Sequence, residues 1–104
     1  LCKIANKVNQ EFDDPEQCGR FATMLLGMVN TQNDSIELIN AGHPSPILVS
    51  PTGAKFIDDP DIGSQLPIGI SKQYHYQSQQ FTLEQGCQLL LYSDGIYECR
   101  QRNY

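Results

Sequence analysis

The amino-acid sequence predicts an α+β chain in which one helix precedes about six mostly antiparallel strands. The length of 104 residues is too short for two independent domains. With 39% hydrophobic and 18% charged residues, the composition is typical of a globular chain. The apolar residues follow helical spacing near the start and then form short runs separated by turn residues, which indicates strands. Together these observations predict one small α+β domain or a part of one.

The first twelve residues are predicted to form an amphipathic helix. Leu1, Ile4, Val8 and Phe12 recur at spacings of three and four, which places them on one helical face. The Asp13-Asp14-Pro15 segment then ends the helix, because the residue before a proline is disfavoured in helical dihedrals. The chain starts at Leu1 with neither a methionine nor a capping side chain, so we expect it to begin inside an element, as a piece of a longer protein.

The segment from Phe21 to Val29 is predicted to be the central strand of the core. Its residues are apolar at both odd and even positions, which is typical of a strand buried on both faces. Asn30 to Ser35 carries turn residues, and Ile36 to Asn40 continues as a second strand. The sequence therefore predicts a hairpin here.

The middle of the chain is predicted to hold a loop, a second hairpin and a long irregular connection. Ala41 to Pro46 contains two prolines and a glycine, so it cannot continue a strand ladder. Ile47 to Val49 and Ala54 to Ile57 flank the turn Pro51-Thr52-Gly53, which predicts a hairpin. Asp58 to Ile70 is rich in proline and glycine and reads as a long connection.

The last third of the chain is predicted to contain two strands and the start of a helix. Tyr74 to Leu83 alternates aromatic and polar residues, which is typical of a strand with one solvated face. Cys87 to Tyr92 is a denser apolar run that ends at Ser93-Asp94-Gly95. These polar residues could cap a helix over Ile96 to Arg102.

Charge and cysteine content narrow the classes of partner. The net charge is -5 and the basic residues form no cluster, which argues against nucleic acid and an anionic membrane surface as partners. No apolar run is long enough to span a bilayer. The four cysteines lack zinc-site spacing, and free thiols in a cytoplasmic protein are favoured over two disulfides. These cysteines are Cys2, Cys18, Cys87 and Cys99.

Asp94 is the most informative candidate for chemistry. A carboxylate at the end of an apolar strand, followed by glycine, can bind Mg²⁺ or Mn²⁺, and the alternative is an Asp-Gly turn or a helix cap. His43 lies between glycine and proline, and it reads as a loop histidine hydrogen-bonded to backbone. Asp58, Asp59 and Asp61 form an acidic loop that reads as a solvated face.

Four segments of the chain form a recognisable set. They are Phe21-Ala22-Thr23, Ile39-Asn40-Ala41-Gly42-His43-Pro44, Leu66-Pro67-Ile68-Gly69-Ile70 and Leu91-Tyr92-Ser93-Asp94-Gly95-Ile96-Tyr97-Glu98. In their order and separation they resemble the SpoIIE/RsbU-like branch of the metal-dependent serine/threonine protein phosphatases, in the protein phosphatase 2C (PPM) superfamily. The Asn-Ala-Gly-His-Pro and Tyr-Ser-Asp-Gly-Ile pair is the most specific part of the resemblance, which covers nearly the whole chain.

The resemblance implies a four-layer α/β/β/α sandwich, with residues 1–104 as a central to C-terminal part of the phosphatase domain. It also implies two Mn²⁺ or Mg²⁺ ions, held by aspartates, that activate a water for attack on a phosphorylated serine or threonine. Asp94 is the one position here that matches a metal aspartate of the family. The other aspartate motifs would lie before Leu1 and after Tyr104, so we expect this chain alone to be inactive. No catalytic role is carried over to His43.

The resemblance further implies a bacterial phosphatase that acts on a regulatory phosphoprotein of the anti-sigma-factor-antagonist type. The alternative is a non-catalytic protein-binding module or a degenerate phosphatase. Strands that the sandwich would supply from outside this chain leave open sheet edges, so we also expect the chain to self-associate.

Overall fold

The computed structural model describes residues 1–12 and 19–93, and these residues confirm the predicted α+β class. The helix comes first in the chain, and every strand pair between the six strands is antiparallel. The elements are α1 (Cys2–Glu11), β1 (Met24–Asn30), β2 (Ser35–Ala41), β3 (Ile47–Ser50), β4 (Gly53–Phe56), β5 (Gln79–Thr82) and β6 (Gln88–Leu90).

The first sheet has the strand order β1-β2-β5 and contains the first predicted hairpin. β1 and β2 pair from Met24 opposite Ala41 to Asn30 opposite Ser35. Two asparagine side chains close the turn, since Asn30 Oδ1 accepts from the backbone N–H of Gln32 at 3.0 Å and Asn33 Oδ1 accepts from Ser35 Oγ at 2.7 Å. The turn residues recognised in the sequence therefore fix this hairpin through side-chain bonds to the backbone and to one another.

The second sheet has the strand order β4-β3-β6 and contains the second predicted hairpin. β3 pairs with β4 up to Ser50 opposite Gly53, and it pairs on its other side with β6, with Ile47 opposite Leu90. Of the apolar run predicted from Cys87 to Tyr92, only the three residues of β6 form ladder pairs. The chain leaves the sheet just before Tyr92.

The strand predicted from Tyr74 to Leu83 is shorter than expected, because only β5 pairs with β2. Residues 74–78 are irregular, and side chains take the place of a ladder there. The backbone N–H of Tyr76 donates to Asn6 Oδ1 at 2.8 Å, and that of Gln77 donates to Gln65 Oε1 at 2.8 Å. The alternating aromatic and polar residues before β5 therefore do not form part of a strand, because their backbone groups bond to side chains.

The doubly buried strand is β2, so the prediction that Phe21 to Val29 forms the central strand is wrong. Ile36 and Leu38 are buried on one face of β2, while Ile39 and Ala41 are buried on the other. β2 lies between two strands, whereas β1 lies at the sheet edge.

The exposure of β1 explains why its apolar run is misleading. Met28 and Val29 are 54% and 61% exposed. An apolar run is buried on both faces only where a layer covers each face. Among the described residues, no element covers the second half of β1, and only its first half, from Met24 to Leu26, is half-buried.

Helix α1 lies at the predicted location, and Leu1 and Phe12 at its two ends pack against the core as predicted, but the middle of its buried face differs from the prediction. Ala5 and Asn9 are completely buried, while Ile4 and Val8 of the predicted apolar stripe are 50% and 40% exposed. Asn9 can be buried because Nδ2 donates to the Ser71 carbonyl at 2.7 Å and Oδ1 accepts from a backbone N–H at 2.9 Å. A satisfied polar side chain thus selects the packing face of the helix.

The core joins this helix face to β2 and to residues 68 and 76. Ala5, Ile39, Ala41, Ile68 and Tyr76 form one buried cluster. The Tyr76 hydroxyl donates to the backbone carbonyl of residue 66 at 2.7 Å. Burial raises the pKa of Tyr76, and the neighbouring tyrosine at position 74 raises it further.

Two of the four cysteines lie among the described residues. Cys2 and Cys87 carry free thiols. The other two cysteines, the predicted helix stop at residues 13–15 and the predicted helix at residues 96–102 lie outside the described residues. None of the described helical residues form a helix that is both long and apolar enough to cross a membrane.

Replacement of Ile39 tests the assignment of the core to β2. Ile39 is completely buried, so Ile39→Ala should lower the free energy of unfolding by about 2 to 5 kcal/mol. The control Val29→Ala, on the exposed part of β1, should cost less than about 1 kcal/mol. Urea melts at low micromolar concentration measure both changes. Equal losses for the two variants would contradict the assignment.

The sheet edges generate a prediction about self-association. β1, β4, β5 and β6 each pair on one side only among the described strands, and unpaired strand edges recruit other edges. We predict that the chain forms dimers or larger species in light scattering at tens of micromolar. Val29→Lys should reduce this association, because a charge on an edge strand opposes pairing. An 11.7 kDa monomer for the unaltered chain would contradict the prediction.

Candidate functional site

The four motif segments recognised in the sequence meet at the loop that follows β2. Gly42 of this loop lies against Pro67 of the Leu-Pro-Ile-Gly-Ile segment. His43 contacts Thr23 on one side and Tyr92 on the other, through its two ring nitrogens. Residues that lie up to 49 positions apart in the chain, such as His43 and Tyr92, are therefore in direct contact at one location.

Gly42 makes the closest approach within this group. Its φ angle is +71°, and a Cβ atom placed on it would lie 2.6 Å from Pro67 Cγ and 3.1 Å from Pro67 N. Both the left-handed backbone and the short distance require a residue without a side chain. The glycine of the Asn-Ala-Gly-His-Pro segment is thus fixed by packing against the proline of another segment.

Asn40 holds the start of the loop in place. Its Oδ1 accepts from the backbone N–H of His43 at 2.8 Å, which closes a side-chain turn around Gly42. Its backbone carbonyl accepts from Gln65 Nε2 at 3.2 Å. Gln65 is buried and also donates to the carbonyl of Gln77 at 2.9 Å. The loop is therefore bound both to itself and to the long connection after β4.

The ring of His43 is held by two polar partners. Nε2 lies 2.8 Å from the backbone carbonyl oxygen of Tyr92, and Nδ1 lies 3.2 Å from Thr23 Oγ1. A carbonyl oxygen only accepts, so Nε2 carries a proton and donates it. In the neutral ring, Nδ1 then accepts from the Thr23 hydroxyl. This arrangement agrees with the predicted loop histidine that bonds to backbone.

The Leu-Pro-Ile-Gly-Ile segment joins the loop to the helix. Ala22 and Ile68 form a two-bond bridge with N···O distances of 2.9 and 2.7 Å. The Gly69 N–H donates to Asn9 Oδ1, and a Cβ on Gly69 would lie 2.6 Å from Phe12 Cδ1. Helix α1 thus supports the segment that in turn supports Gly42.

A polar cavity of about 510 Å³ lies beside the loop. The Ser45 hydroxyl donates to the Asp58 carboxylate at its wall. Its lining is mainly amide, hydroxyl and carboxylate groups from β2, the loop, the long connection and residues 77–79, including Asn40, His43, Ser45, Asp58, Asp59, Gln65, Gln77 and Gln79.

The acidic loop behaves as a turn of its own. The Asp59 carbonyl accepts from the backbone N–H groups of Ile62 and Gly63 at 3.1 and 2.9 Å, and Asp59 Oδ1 accepts from the Asp61 N–H at 2.9 Å. Asp58 and Asp61 are exposed. These positions agree with the predicted solvated face.

The predicted metal ligand Asp94 lies outside the described residues, which end at Ser93. Within residues 1–12 and 19–93, no three histidine, cysteine, aspartate or glutamate side chains are grouped so that they could hold a metal ion. His75, the second histidine, is exposed and far in sequence from the loop. The described part of the site therefore consists of the loop after β2 and its contacts, which reach the chain just before Asp94.

Sequence reasoning missed the polar residues that assemble this site. Asn9 is not part of the predicted apolar stripe, although Ala5, Asn9 and Phe12 also follow a helical spacing. Asn40 stood out only as part of the Asn-Ala-Gly-His-Pro segment, and Gln65 gave no signal beyond being polar, because their partners are distant in sequence or are backbone groups.

The fold and the convergence of the four segments define the class of protein. The structure is similar to a crystal structure of the RsbU and RsbW domains of a Mycobacterium tuberculosis protein, with a TM-score of 0.64 and 26% sequence identity. The match covers 80% of this chain and 23% of that chain. The described residues therefore have the fold of part of an RsbU-like domain of the protein phosphatase 2C type.

The family model described as Stage II sporulation protein E (SpoIIE) matches residues 1–104, so the chain belongs to the SpoIIE family. It is 29% identical over 101 residues to the phosphoserine phosphatase RsbU of Bacillus subtilis, covering 97% of this chain. It is 24% identical over 87 residues to the phosphoserine phosphatase RsbP of the same organism, covering 84% of this chain. The chain spans 30% and 21% of the lengths of these two relatives.

Replacement of Gly42 tests the contact at the centre of this site. Gly42→Ala should destabilise the fold through both its left-handed backbone and the clash with Pro67. The matched control is Gly63→Ala, since Gly63 has a φ angle of +68° but no atom within 4 Å of the added Cβ. We expect the control to cost about 1 to 2 kcal/mol and Gly42→Ala to cost at least about 1 kcal/mol more. Equal losses in denaturant melts would show that the contact is unimportant.

Proposed function

We propose that this chain is part of a bacterial metal-dependent protein phosphatase that hydrolyses phosphoserine or phosphothreonine. Membership of the SpoIIE family and similarity to two relatives named phosphoserine phosphatases support this activity. The observation that carries the proposal is the convergence of the four motif segments on the chain that leads into Asp94. A metal-dependent phosphatase needs its metal ligands at defined positions, so the chain that follows β6 must be fixed.

The proposed reaction is hydrolysis of a phosphate monoester. The oxygen of a water molecule bonds to phosphorus while the bond from phosphorus to the serine or threonine oxygen breaks. The leaving oxygen takes up a proton, which gives the free hydroxyl side chain and inorganic phosphate. Bound Mn²⁺ or Mg²⁺ would supply a lowered pKa for that water and charge stabilisation.

Asp94 is the residue of this chain that we propose as a metal ligand. Its carboxylate is the hard oxygen donor that Mg²⁺ and Mn²⁺ prefer. The neighbouring described residues supply no cluster of further ligands. On the family resemblance, we propose that the other carboxylates of the metal site come from elsewhere in the full-length protein.

The proposed substrate is a phosphorylated regulatory protein. RsbU and RsbP are named phosphoserine phosphatases, and the family resemblance favours a protein of the anti-sigma-factor-antagonist type. The cavity beside the loop is lined by amides, hydroxyls and carboxylates. Such groups suit a polar, uncharged or basic peptide next to the phosphorylated residue.

Replacement of Asp94 tests the proposed function in the full-length protein. With Mn²⁺ and a phosphoserine peptide, Asp94→Asn should lower phosphate release about 100-fold or more, because it removes a ligand charge. The matched control Asp61→Asn changes an exposed carboxylate of the acidic loop and should retain the activity of the unaltered protein. The 104-residue chain by itself should release no phosphate above buffer.

The same assay separates the enzyme from its alternative. Unchanged turnover of Asp94→Asn at saturating Mn²⁺ would show that Asp94 is only a turn residue. No turnover by the full-length protein, together with retained binding of a phosphoprotein, would favour a non-catalytic binding module. Turnover by the isolated chain would contradict the proposal that the metal site needs other carboxylates.

A further inference from the structure

We propose that His43 is a positioning residue that holds the chain for Asp94, with Thr23 orienting its ring. This inference rests on the proposed function, because its consequence is a fixed place for the proposed metal ligand. The observation behind it is the 2.8 Å hydrogen bond between His43 Nε2 and the backbone carbonyl of Tyr92, two residues before Asp94.

The hydrogen bond from His43 to Tyr92 restrains a part of the chain that the β3–β6 ladder does not reach. The last ladder pair between β3 and β6 joins Ile47 to Leu90. Beyond that pair the strand ladder no longer constrains the chain. The imidazole bond to Tyr92 lies beyond the last ladder pair and therefore restrains the segment that continues into Ser93 and Asp94.

The ring can act this way because its own backbone is fixed. His43 follows Gly42, which lies against Pro67. The backbone N–H of His43 donates to Asn40 Oδ1 at 2.8 Å. Pro44 restricts the dihedrals of His43 from the other side. The ring thus projects from a loop that is braced by two other segments.

Thr23 selects the orientation of the ring that the bond to Tyr92 requires. The Thr23 hydroxyl lies 3.2 Å from Nδ1 and can donate to it when Nε2 carries the proton. Thr23 follows Ala22, which bridges to Ile68 by two backbone bonds. The Thr23 hydroxyl is therefore linked, through the bridge from Ala22 to Ile68, to the segment whose Pro67 packs on Gly42.

These contacts distinguish positioning from direct chemistry. Both ring nitrogens of His43 already have protein partners, so neither presents a free lone pair to a metal ion or a substrate. A histidine that acts through a backbone carbonyl affects where the next carboxylate lies and not which groups react. Groups that orient a metal ligand in this way commonly change metal affinity by about 10- to 100-fold.

The test uses the full-length protein and two measurements. The first is amide hydrogen exchange in the peptide that covers residues 91–95, measured without metal. The second is the dissociation constant for Mn²⁺, measured by titration calorimetry. The variants are His43→Ala, His43→Gln and Thr23→Val, and His75→Ala is the control because His75 is an exposed histidine outside the site.

His43→Ala should raise exchange in this peptide about tenfold and weaken Mn²⁺ binding about 10- to 100-fold. His43→Gln should stay within about threefold of the unaltered protein, because a glutamine amide at this reach can donate to the same carbonyl. Thr23→Val keeps the ring and removes the orienting hydroxyl, so its values should fall between these two. It also retains a test of the proposal if His43→Ala does not fold. His75→Ala should change neither measurement.

Unchanged exchange in His43→Ala would overturn the inference whatever the metal result. A loss in His43→Gln as large as in His43→Ala would also overturn it, since ring volume and not the hydrogen bond would then be the cause. Failure of the proposed function gives a different result, in which the unaltered protein neither binds Mn²⁺ nor releases phosphate. The exchange measurement still decides the role of His43 in that case.

Discussion

The close packing of Gly42 on Pro67 is the constraint on which the rest of the described site depends. With a Cβ position only 2.6 Å from the proline ring, the loop after β2 can take its path only with glycine at this position. That path places the backbone of His43 within reach of Asn40 and its ring between Thr23 and Tyr92. One steric requirement thus sets the positions of several polar groups.

The support for this contact comes from a fully buried asparagine. Asn9 satisfies both sides of its amide with backbone groups of residues 69 and 71, and the core cluster of Ala5, Ile39, Ala41, Ile68 and Tyr76 packs around the same segment. A buried amide costs little when both its donor and its acceptor are paired. It also fixes the register of the helix, because the hydrogen bonds form at one position only.

In our proposal the described motif residues hold the site in shape and are not themselves metal ligands. Gly42 lies against Pro67, the Asn40 side chain accepts from the His43 N–H, and both ring nitrogens of His43 have protein partners. The proposed metal ligands are carboxylates, and we propose Asp94 as the one that this chain contributes. We therefore propose two roles for the motif residues of this chain. Gly42, His43 and Pro67 hold the chain that follows β6, and Asp94 binds a metal ion.

The elements that sequence reasoning predicted are those whose causes are local. Asn30, Asn33 and Gly53 determine their turns through neighbouring residues, so both hairpins were predictable. The choice between β1 and β2 as the buried strand was not, because an apolar run does not reveal whether it lies at a sheet edge or in the middle. The partners of Asn9 and His43 lie 62 and 49 residues away, and no spacing in the sequence relates such residues. The family resemblance brought the four segments together as a set, and the structure supplied the contacts between them.

We propose that these contacts hold Asp94 at a metal site, and a crystal structure of the full-length protein grown with Mn²⁺ tests this most directly. Anomalous scattering at the manganese edge should place an ion about 2 Å from a carboxylate oxygen of Asp94, with His43 Nε2 still bonded to the Tyr92 carbonyl. A Mn²⁺ ion bound entirely by other residues, with the Asp94 carboxylate turned away from it, would contradict the account.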